Sequence, residues 1–268
     1  MHGLIQRPPL PLPVPLPGYQ ARHPPGLRPI ECQRVEAGTW FASLPSGLRQ
    51  AMLSRARVQQ VRRGARLVQR GGVATDWVGV AGGALSLATS GRNSRAFTLD
   101  LLGPGDWYGD IALLDGSPVD LDITAQAHST LLLISRADLQ TLVQEQPELR
   151  AGLLQLDCRR LRHMFSRLEE LQTLPLAQRI ALKLQRLLRQ FGRPTELGSS
   201  LAQQIDLTLT QGDLASLLCA SRQRINSVLR QMQALGILGS SHGRIEVLLP
   251  QRLADVARGR LVLDTERA

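Results

Sequence analysis

Between Thr210 and Leu235 the chain reads TQGDLASLLCASRQRINSVLRQMQAL. Thr210 with an acid three residues later, at Asp213, is typical of a helix start, and Ser221 offers a second start after a short break. Apolar residues at helical spacing follow both starts. The two stripes are Leu214, Leu217 and Leu218, and then Ile225, Val228, Leu229 and Met232. Two short helices joined by a tight turn are predicted, which is the plan of a helix-turn-helix.

Polar side chains surround the start of the second predicted helix. They are Ser221, Arg222, Gln223, Arg224, Asn226 and Ser227. Arginine can bind O6 and N7 of guanine with two hydrogen bonds, and glutamine or asparagine can do the same with adenine. We therefore expect Arg222 and Gln223 to read bases in the major groove, with Ser221, Arg224 and Asn226 on or near phosphates.

The segment Gly236 to Leu249, GILGSSHGRIEVLL, places a Gly/Ser/His turn between two short apolar runs and predicts a two-stranded wing. His242 lies in that turn, where we expect it to be exposed to solvent, with a contact to a DNA phosphate as the alternative. Spacing alone also allows an ordinary helical hairpin followed by a β-hairpin within some larger domain.

The segment Leu209 to Leu238 resembles the winged helix-turn-helix of the cyclic-AMP receptor protein and fumarate/nitrate regulator (Crp/Fnr) superfamily of bacterial transcription factors. Its S-R-x-x-[VI]-x-x-x-L core is present as Ser221, Arg222, Ile225 and Leu229. Two positions depart from the family pattern. Cys219 stands where the family usually has glycine in the turn, and Ser227 stands where many members have a second base-reading arginine. The preferred DNA sequence should therefore differ from that of the best-known members.

Upstream, short runs of alternating apolar residues predict β-strands separated by glycine turns. The runs are Val78 and Val80, Leu85 and Leu87, Phe97, Leu99 and Leu101, and Val119, Leu121, Ile123 and Ala125. Many short strands with such turns favour an antiparallel jelly roll or barrel. A short helical entry with Leu48 and Met52 facing inward is expected before them.

The stretch Leu101 to Pro118, LLGPGDWYGDIALLDGSP, is similar to the signature of cyclic-nucleotide-binding β-rolls. The resemblance implies an effector pocket at Tyr108, Gly109, Asp110, Val119 and Asp120. Asp110 matches the family's ribose-binding glutamate with one methylene less, and Val119 and Asp120 fall where an Arg-Ser pair would hold the cyclic phosphate. The loss of a guanidinium and the gain of a carboxylate at these two positions disfavour the binding of an anionic phosphate. We expect a degenerate pocket that does not bind a cyclic nucleotide.

Residues 146–174 predict one long helix. Apolar residues at alternating steps of four and three form a seam: Leu154, Cys158, Leu161, Phe165 and Leu168. Such a seam predicts dimerisation, although an amphipathic helix lying on its own β-roll would have the same pattern. The resemblance implies that this is the dimerisation helix. A second helix is predicted at 176–191, a loop at 198–204 and a last short helix after Pro250.

Composition limits the function further. The 268 residues carry a net charge of +10, and Lys183 is the only lysine. A basic chain favours binding to nucleic acid. Much of the excess positive charge, however, lies in segments next to the predicted reading helix and not in the helix itself. Three separated cysteines make neither a disulfide framework nor the four ligands of an iron-sulfur cluster, and the five histidines lack metal-ligand spacing. We expect no catalytic residues, no metal, no cofactor, no membrane span and a cytoplasmic location.

The sequence therefore predicts an α+β protein with five segments. Residues 1–34 form a disordered proline-rich tail, 35–145 a β-roll (jelly roll) sensor, 146–174 a dimerisation helix, 175–250 a winged helix-turn-helix, and 251–268 a short helix and tail. The expected function is that of a homodimeric transcription regulator that binds a near-palindromic site on double-stranded DNA. The resemblance also allows a contact with RNA polymerase. The alternative is a β-roll sensor or regulatory subunit that acts through a protein partner.

Overall fold

The computed structural model describes residues 23–90, 96–195, 202–241 and 243–263. In these ranges the N-terminal half is built from two four-stranded antiparallel sheets, as expected for a jelly roll. The first sheet has the order β1, β8, β3, β6, with β1 at Arg57–Val61, β8 at Ser129–Ser135, β3 at Asp76–Gly82 and β6 at Trp107–Tyr108. The second has the order β2, β7, β4, β5, with β2 at Arg66–Val68, β7 at Asp122–Ala125, β4 at Leu85–Ser90 and β5 at Ala96–Leu102.

The β-roll has an apolar core between the sheets and an aromatic cluster at one side. The rings of Trp77 and Trp107 lie 4.8 Å apart, and Phe41 stacks on Trp107 at 5.8 Å. Trp40 completes the cluster, and its Nε1 donates a 2.7 Å hydrogen bond to the Gly152 carbonyl oxygen. Edge-to-face and stacked aromatic pairs add to the stability gained by burial alone. This cluster fixes the long helix to the roll.

The helices of the described residues are α1 at Pro29–Glu36, α2 at Ser46–Arg55, α3 at Asp110–Asp115, α4 at Arg136–Glu145, α5 at Pro147–Thr173, α6 at Leu176–Phe191, α7 at Gln211–Leu218, α8 at Arg222–Ala234 and α9 at Pro250–Ala257, with a 3-10 turn at Phe41–Ser43. Several of the helices, among them α5 to α8, begin and end close to where the sequence predicts, whereas α1 was not predicted. Leu48 and Met52 of α2 are buried, as expected. The Ser135 hydroxyl caps α4 by accepting a hydrogen bond from the Asp138 N–H.

The prediction of a disordered tail as far as residue 34 is wrong at its C-terminal end. Helix α1 starts at Pro29, and Val35 is buried. Glu31 is buried as well, where it accepts hydrogen bonds from Arg28 and from the Thr130 hydroxyl, both at 2.8 Å. A buried carboxylate is costly unless it is paired and hydrogen-bonded, and Glu31 has both kinds of partner. Residues 1–22, which hold the proline repeats, lie outside the described residues.

The C-terminal domain also departs from the prediction in one respect. The wing hairpin, β11 at Leu238–Ser241 and β12 at Arg244–Val247, extends into a four-stranded sheet with β10 at Gln203–Ile205 and β9 at Gly192–Pro194. Gln203 and Gln204, predicted as loop, therefore pair with both β12 and β9. The wing is thus the outer part of a larger sheet. The rest of the predicted loop, residues 198–201, lies outside the described residues.

The β-roll and the C-terminal domain contact each other directly. Helix α7 packs on β5, and the Thr98 and Ser216 hydroxyl oxygens lie 2.9 Å apart. Below this contact, Asp100 of β5 pairs with Lys183 of α6 at 2.7 Å and with His163 of α5 at 3.3 Å. Segments that are far apart in the sequence therefore meet at one carboxylate.

Candidate nucleic-acid interface and sensor pocket

The helix-turn-helix forms because each of its two helices has a strong N-terminal cap. The Thr210 hydroxyl accepts a 3.0 Å hydrogen bond from the Asp213 N–H, and the Asp213 carboxylate accepts one of 2.7 Å from the Thr210 N–H. This capping box satisfies two amides that a helix start would otherwise leave unpaired. At α8, the Ser221 hydroxyl accepts from the Arg224 N–H at 3.3 Å. Both predicted helix starts are confirmed.

The turn between the helices passes through Cys219, which has a left-handed backbone with φ 51° and ψ 44°. A residue other than glycine costs about 1 kcal/mol in that conformation. The carbonyl groups just before the turn are satisfied from outside the motif. Arg167 of α5 donates to the Leu217 carbonyl oxygen at 2.8 Å, and Arg179 of α6 donates to that of Leu218 at 2.9 Å. These contacts hold the turn against the rest of the molecule.

Helix α8 buries one face and leaves its N-terminal end open. Ile225, Val228 and Met232 are buried in the domain core. Ser221, Arg222, Gln223 and Arg224 are exposed, whereas Asn226 and Ser227 are half-buried. The structure thus brings the six predicted residues together at the N-terminal end of one helix, where the helix dipole also favours a phosphate.

Asn226 has an internal partner that the sequence did not reveal. Its side-chain oxygen accepts a 3.0 Å hydrogen bond from Nε2 of Gln211, the first residue of α7. The Asn226 amide group therefore helps to fix the angle between the two helices. At the wing, Arg244 is anchored to Asp206 at 3.3 Å, and His242 lies outside the described residues.

The residues predicted to form the effector pocket lie together around the start of α3. Gly109 has φ 101° and lets the chain turn from Tyr108 into Asp110. All five predicted pocket residues lie here, with Val119 buried and Asp120 exposed. The cavity that four of them line, together with Arg160 and others, has a volume of only about 30 Å³. Such a space has room for roughly one or two water molecules.

Arg160 of α5 accounts for the small size of this cavity. Its guanidinium approaches the fully buried Asp110 carboxylate at 2.8 and 3.0 Å and the Asp157 carboxylate at 2.7 Å, and it lies 5.4 Å from the centre of the Tyr108 ring. Burial alone would lower the pKa of Arg160, but the Asp110 carboxylate outweighs it and raises that pKa. The position that resembles a ribose-binding carboxylate is therefore already occupied by a side chain of the same molecule.

The sequence did not indicate this role for Arg160, because its pattern placed the residue only beside the helical seam. Fifty residues separate Arg160 from Asp110, so no local spacing links them. The available signal was indirect. An acid at position 110 without a phosphate-binding arginine at 119 needs another cation if it is buried.

The seam of α5 is largely open in a single chain. Leu154 is 67% exposed, Leu161 53%, Phe165 61% and Leu168 56%, while Cys158 is half-buried. Leu149, Leu153 and Leu156 on the opposite side are buried against the roll. The helix therefore has two apolar faces, of which its own roll covers one. His163, on the same helix, lies with its Nε2 3.3 Å from the Asp100 carboxylate.

No group of three or more metal-binding side chains occurs among the described residues. The helices in this part of the chain also include none with the length and apolar character needed to cross a bilayer.

Two family profiles match the chain. Residues 58–146 match the cyclic nucleotide-binding domain, and residues 178–256 match the Crp-like helix-turn-helix domain. Together they include most of the β-roll and the helix-turn-helix with its wing.

Related proteins and solved structures agree with these matches. The chain is 27% identical over 176 residues to a CRP-like cAMP-activated global transcriptional regulator of Mycobacterium tuberculosis, covering 66% of this chain and 77% of that protein. It is 29% identical over 180 residues to the cyclic AMP receptor protein of Thermus thermophilus, covering 67% and 78%. A CRP/FNR family regulator from Thermus thermophilus superposes with a TM-score of 0.64 at 23% identity, covering 76% of this chain and all of that one (100%).

The likeness in structure establishes the arrangement of roll, long helix and winged domain. The two sequence profiles identify the roll as a cyclic nucleotide-binding domain and the winged domain as a Crp-like helix-turn-helix domain. The chain therefore belongs to the Crp/Fnr superfamily of bacterial transcription regulators.

Proposed function

We propose that the protein is a homodimeric regulator that binds a near-palindromic DNA operator and does not use cyclic AMP as its effector. The observation that carries the proposal is the N-terminal end of α8, where Arg222 and Gln223 are exposed and none of the described residues covers them. The proposed role is regulatory rather than enzymatic, and we place it in the cytoplasm with the chromosome. Contact with RNA polymerase is a further part of the proposal.

The base-reading residues are proposed from their position and chemistry. Arg222 and Gln223 precede the first buried residue of α8, which puts them at the end of the helix that enters a major groove. Ser221, Arg224 and Asn226 would lie on or near phosphates, and Ser227 would face the groove edge. Asn226 would have to give up its bond to Gln211 or contact DNA with its NH₂ group.

Dimerisation is proposed from the open seam of α5. Four large apolar side chains exposed along two heptads favour burial against a second copy, because each removes apolar area from water at about 25 cal/mol per Å². Two-fold symmetry then repeats the reading helix. Two copies of α8 about 34 Å apart would read successive major grooves on one face of the duplex.

The absence of a cyclic nucleotide effector is proposed from Arg160 and Val119. Arg160 neutralises Asp110, and Val119 offers no hydrogen bond to a phosphate. The relative from Mycobacterium tuberculosis is described as cAMP-activated, so this chain is expected to differ from it. A calorimetric titration with cyclic AMP and cyclic GMP is expected to show no micromolar binding, and a micromolar dissociation constant for either would refute this part.

The test of DNA reading is the change Arg222→Ala. It should weaken binding to the selected operator by about 1 to 3 kcal/mol and relax the preference at one base pair in each half-site. The operator is first selected from genomic fragments with purified protein, and affinities are then measured by fluorescence anisotropy. Arg62→Ala, which removes an exposed arginine directly after β1 in the roll, is the matched control and should keep both affinity and preference.

The alternative function, a sensor that acts through a protein partner, predicts different salt behaviour. A DNA binder loses affinity steeply as salt rises, because phosphate contacts release counterions. A protein-docking module would retain no specific genomic fragments at any salt concentration. Unchanged operator preference in Arg222→Ala together with salt-independent binding would favour the alternative.

A further inference from the structure

A cleft of about 720 Å³ lies between the β-roll and the winged domain. We call it the interdomain cleft, and the residues that matter here are Arg28, Arg34, Arg189 and Arg193 with Asp106 and Asp206. Sites for small molecules usually have volumes of about 300 to 1,000 Å³. The interdomain cleft falls in that range, whereas the filled pocket beside Asp110, at about 30 Å³, does not. Room for a metabolite therefore exists at the boundary between the domains rather than inside the roll.

The base of the interdomain cleft is rigid because three segments meet there in close contact. A Cβ atom on Gly38, after α1, would lie 2.5 Å from the Gly105 carbonyl oxygen. A Cβ atom on Gly103 would lie 2.7 Å from Cγ of Gln190, near the end of α6. The turn at 103–106 is thus held between the N-terminal helix and the winged domain, and only glycine permits both approaches.

Arginines reach the interdomain cleft from both sides. Arg28 and Arg34 come from α1 and the residue before it, while Arg189 and Arg193 come from the end of α6 and from β9. Two of the four have carboxylate partners: Arg28 pairs with Glu31 at 2.8 Å, and Arg193 pairs with Asp206 at 2.6 Å. None of the ion pairs found between described residues includes Arg34 or Arg189, so two guanidinium groups keep their binding capacity.

We propose that the interdomain cleft binds a small molecule with two or more phosphate groups, held by Arg28 and Arg34 on one side and by Arg189 and Arg193 on the other. Guanidinium groups match phosphate oxygens with paired charge-assisted hydrogen bonds, which explains four arginines in one cleft. Phe191 is the aromatic residue of the lining and is only 8% exposed, so it offers little surface for stacking a base. The cleft would therefore recognise such a ligand mainly through its phosphate groups.

Such a ligand would connect the sensor to the reading head. Because it would contact both domains, it would bind one relative orientation more tightly than others and so favour that orientation. An effect on DNA affinity rests on the proposed function above, but binding of the ligand itself does not. Experiments can therefore refute ligand binding and DNA binding independently of each other.

The experiment is an isothermal titration of the full chain with inorganic pyrophosphate, in the absence of DNA, with inorganic phosphate as the comparison. We expect one pyrophosphate site per chain and weaker binding of the monophosphate. The double variant Arg34→Ala/Arg189→Ala should weaken pyrophosphate binding at least tenfold. The matched control is Arg62→Ala/Arg63→Ala on the turn between β1 and β2, which removes two exposed arginines and should change binding by less than twofold.

Three results would overturn the proposal. These are no binding of pyrophosphate to the unchanged protein, equal losses in both double variants, and a loss of operator affinity in Arg34→Ala/Arg189→Ala without pyrophosphate as large as in Arg222→Ala, which would assign the arginines to the DNA backbone. Thermal unfolding of each variant checks the fold. If the variant Arg34→Ala/Arg189→Ala is unfolded, the single variant Arg189→Gln provides the same test. Arg189 is exposed, so its replacement leaves the core intact. Failure here leaves the Arg222→Ala test of DNA reading unaffected.

Discussion

Arg160 shows how one side chain can decide what a binding pocket accepts. Its neighbours Asp110 and Asp157 would repel each other without it, and burial followed by the Asp110 carboxylate raises the pKa of Asp157. With the arginine in place, the charge of the buried Asp110 carboxylate is balanced within the same chain. The Asp110–Arg160 pair thus forms part of the contact between the roll and the long helix.

Replacing this residue tests that view. Arg160→Ala leaves the fully buried Asp110 carboxylate without its cation and should lower the free energy of unfolding by about 3 kcal/mol, measured by urea denaturation at pH 7. Adding Asp110→Asn to the same variant should recover most of the loss, because the unpaired charge is then gone. The neighbouring exposed Arg159→Ala should cost less than about 1 kcal/mol. A loss in the double variant as large as in the single one would show that the pair is not coupled.

Asp106, in the turn at the base of the interdomain cleft, predicts a dependence of stability on pH. Burial raises the pKa of this carboxyl to about 6, with the nearby Asp100 charge adding to the effect. Because the folded pKa lies above the unfolded value, the folded state binds this proton more tightly and loses stability as the pH rises from about 4 to 6. The loss is at most about 3 kcal/mol.

Asp106→Asn should therefore make the protein more stable at pH 7 and flatten its stability between pH 4 and 6, as measured by thermal unfolding across that range. The asparagine side-chain oxygen can still accept the 2.8 Å hydrogen bond from the Gly103 N–H. A variant whose pH dependence matches that of the unchanged protein would contradict the assignment.

Elements with local signals could be predicted from the sequence, and elements set by distant contacts could not. Helices α7 and α8 were predicted because Thr210, Asp213 and Ser221 act within three residues of each helix start. Strand β8 lacks alternation because six of its seven residues are buried, so its run resembles any apolar segment. Strands β9 and β10 resemble loops because their pairing with β12, not their composition, makes them strands.

The same contrast applies to the candidate sites. The exposed end of α8 and the seam of α5 follow from helical periodicity, and the structure places their residues as that periodicity requires. The closed pocket and the interdomain cleft depend on arginines from separate elements. No spacing in the sequence indicates that Arg160 meets Asp110 or that Arg34 lies across from Arg189.

The seam of α5 gives a prediction about the helix as a unit. Leu161→Glu places a charge at the centre of the proposed two-helix contact and should shift the protein from dimer to monomer at micromolar concentration in sedimentation equilibrium. Ser166→Glu adds the same charge on an exposed flank of the helix and should leave the dimer intact. If both variants stay dimeric, copies of the chain associate through another surface.

Across the whole molecule, Asp100 joins the roll, the long helix and the winged domain. Burial alone would raise its pKa, but the hydrogen bond from His163 and the charges of Lys183 and Arg167 outweigh burial and hold the pKa well below its usual range. A carboxyl with a depressed folded pKa adds stability above its unfolded pKa of about 4, and that stability is lost as the pH falls below this value.

Asp100→Asn should cost about 3 kcal/mol of unfolding free energy at pH 7, because it leaves the Lys183 ammonium buried and unpaired. The difference from the unchanged protein should shrink as the pH falls below about 4. Asp120→Asn removes an exposed carboxylate from the same roll and is the control, with little change expected. Urea denaturation at several pH values distinguishes the two, and equal effects would show that Asp100 has no special part in joining the domains.

Lys183 is the only lysine of the chain, and its side chain is 5% exposed at this junction. Reagents that acylate amines can reach it only when the winged domain moves away from the roll. The rate at which this one amine is acetylated, followed by mass spectrometry, would therefore time the opening of the junction in the unmodified protein, with no dye or engineered cysteine required.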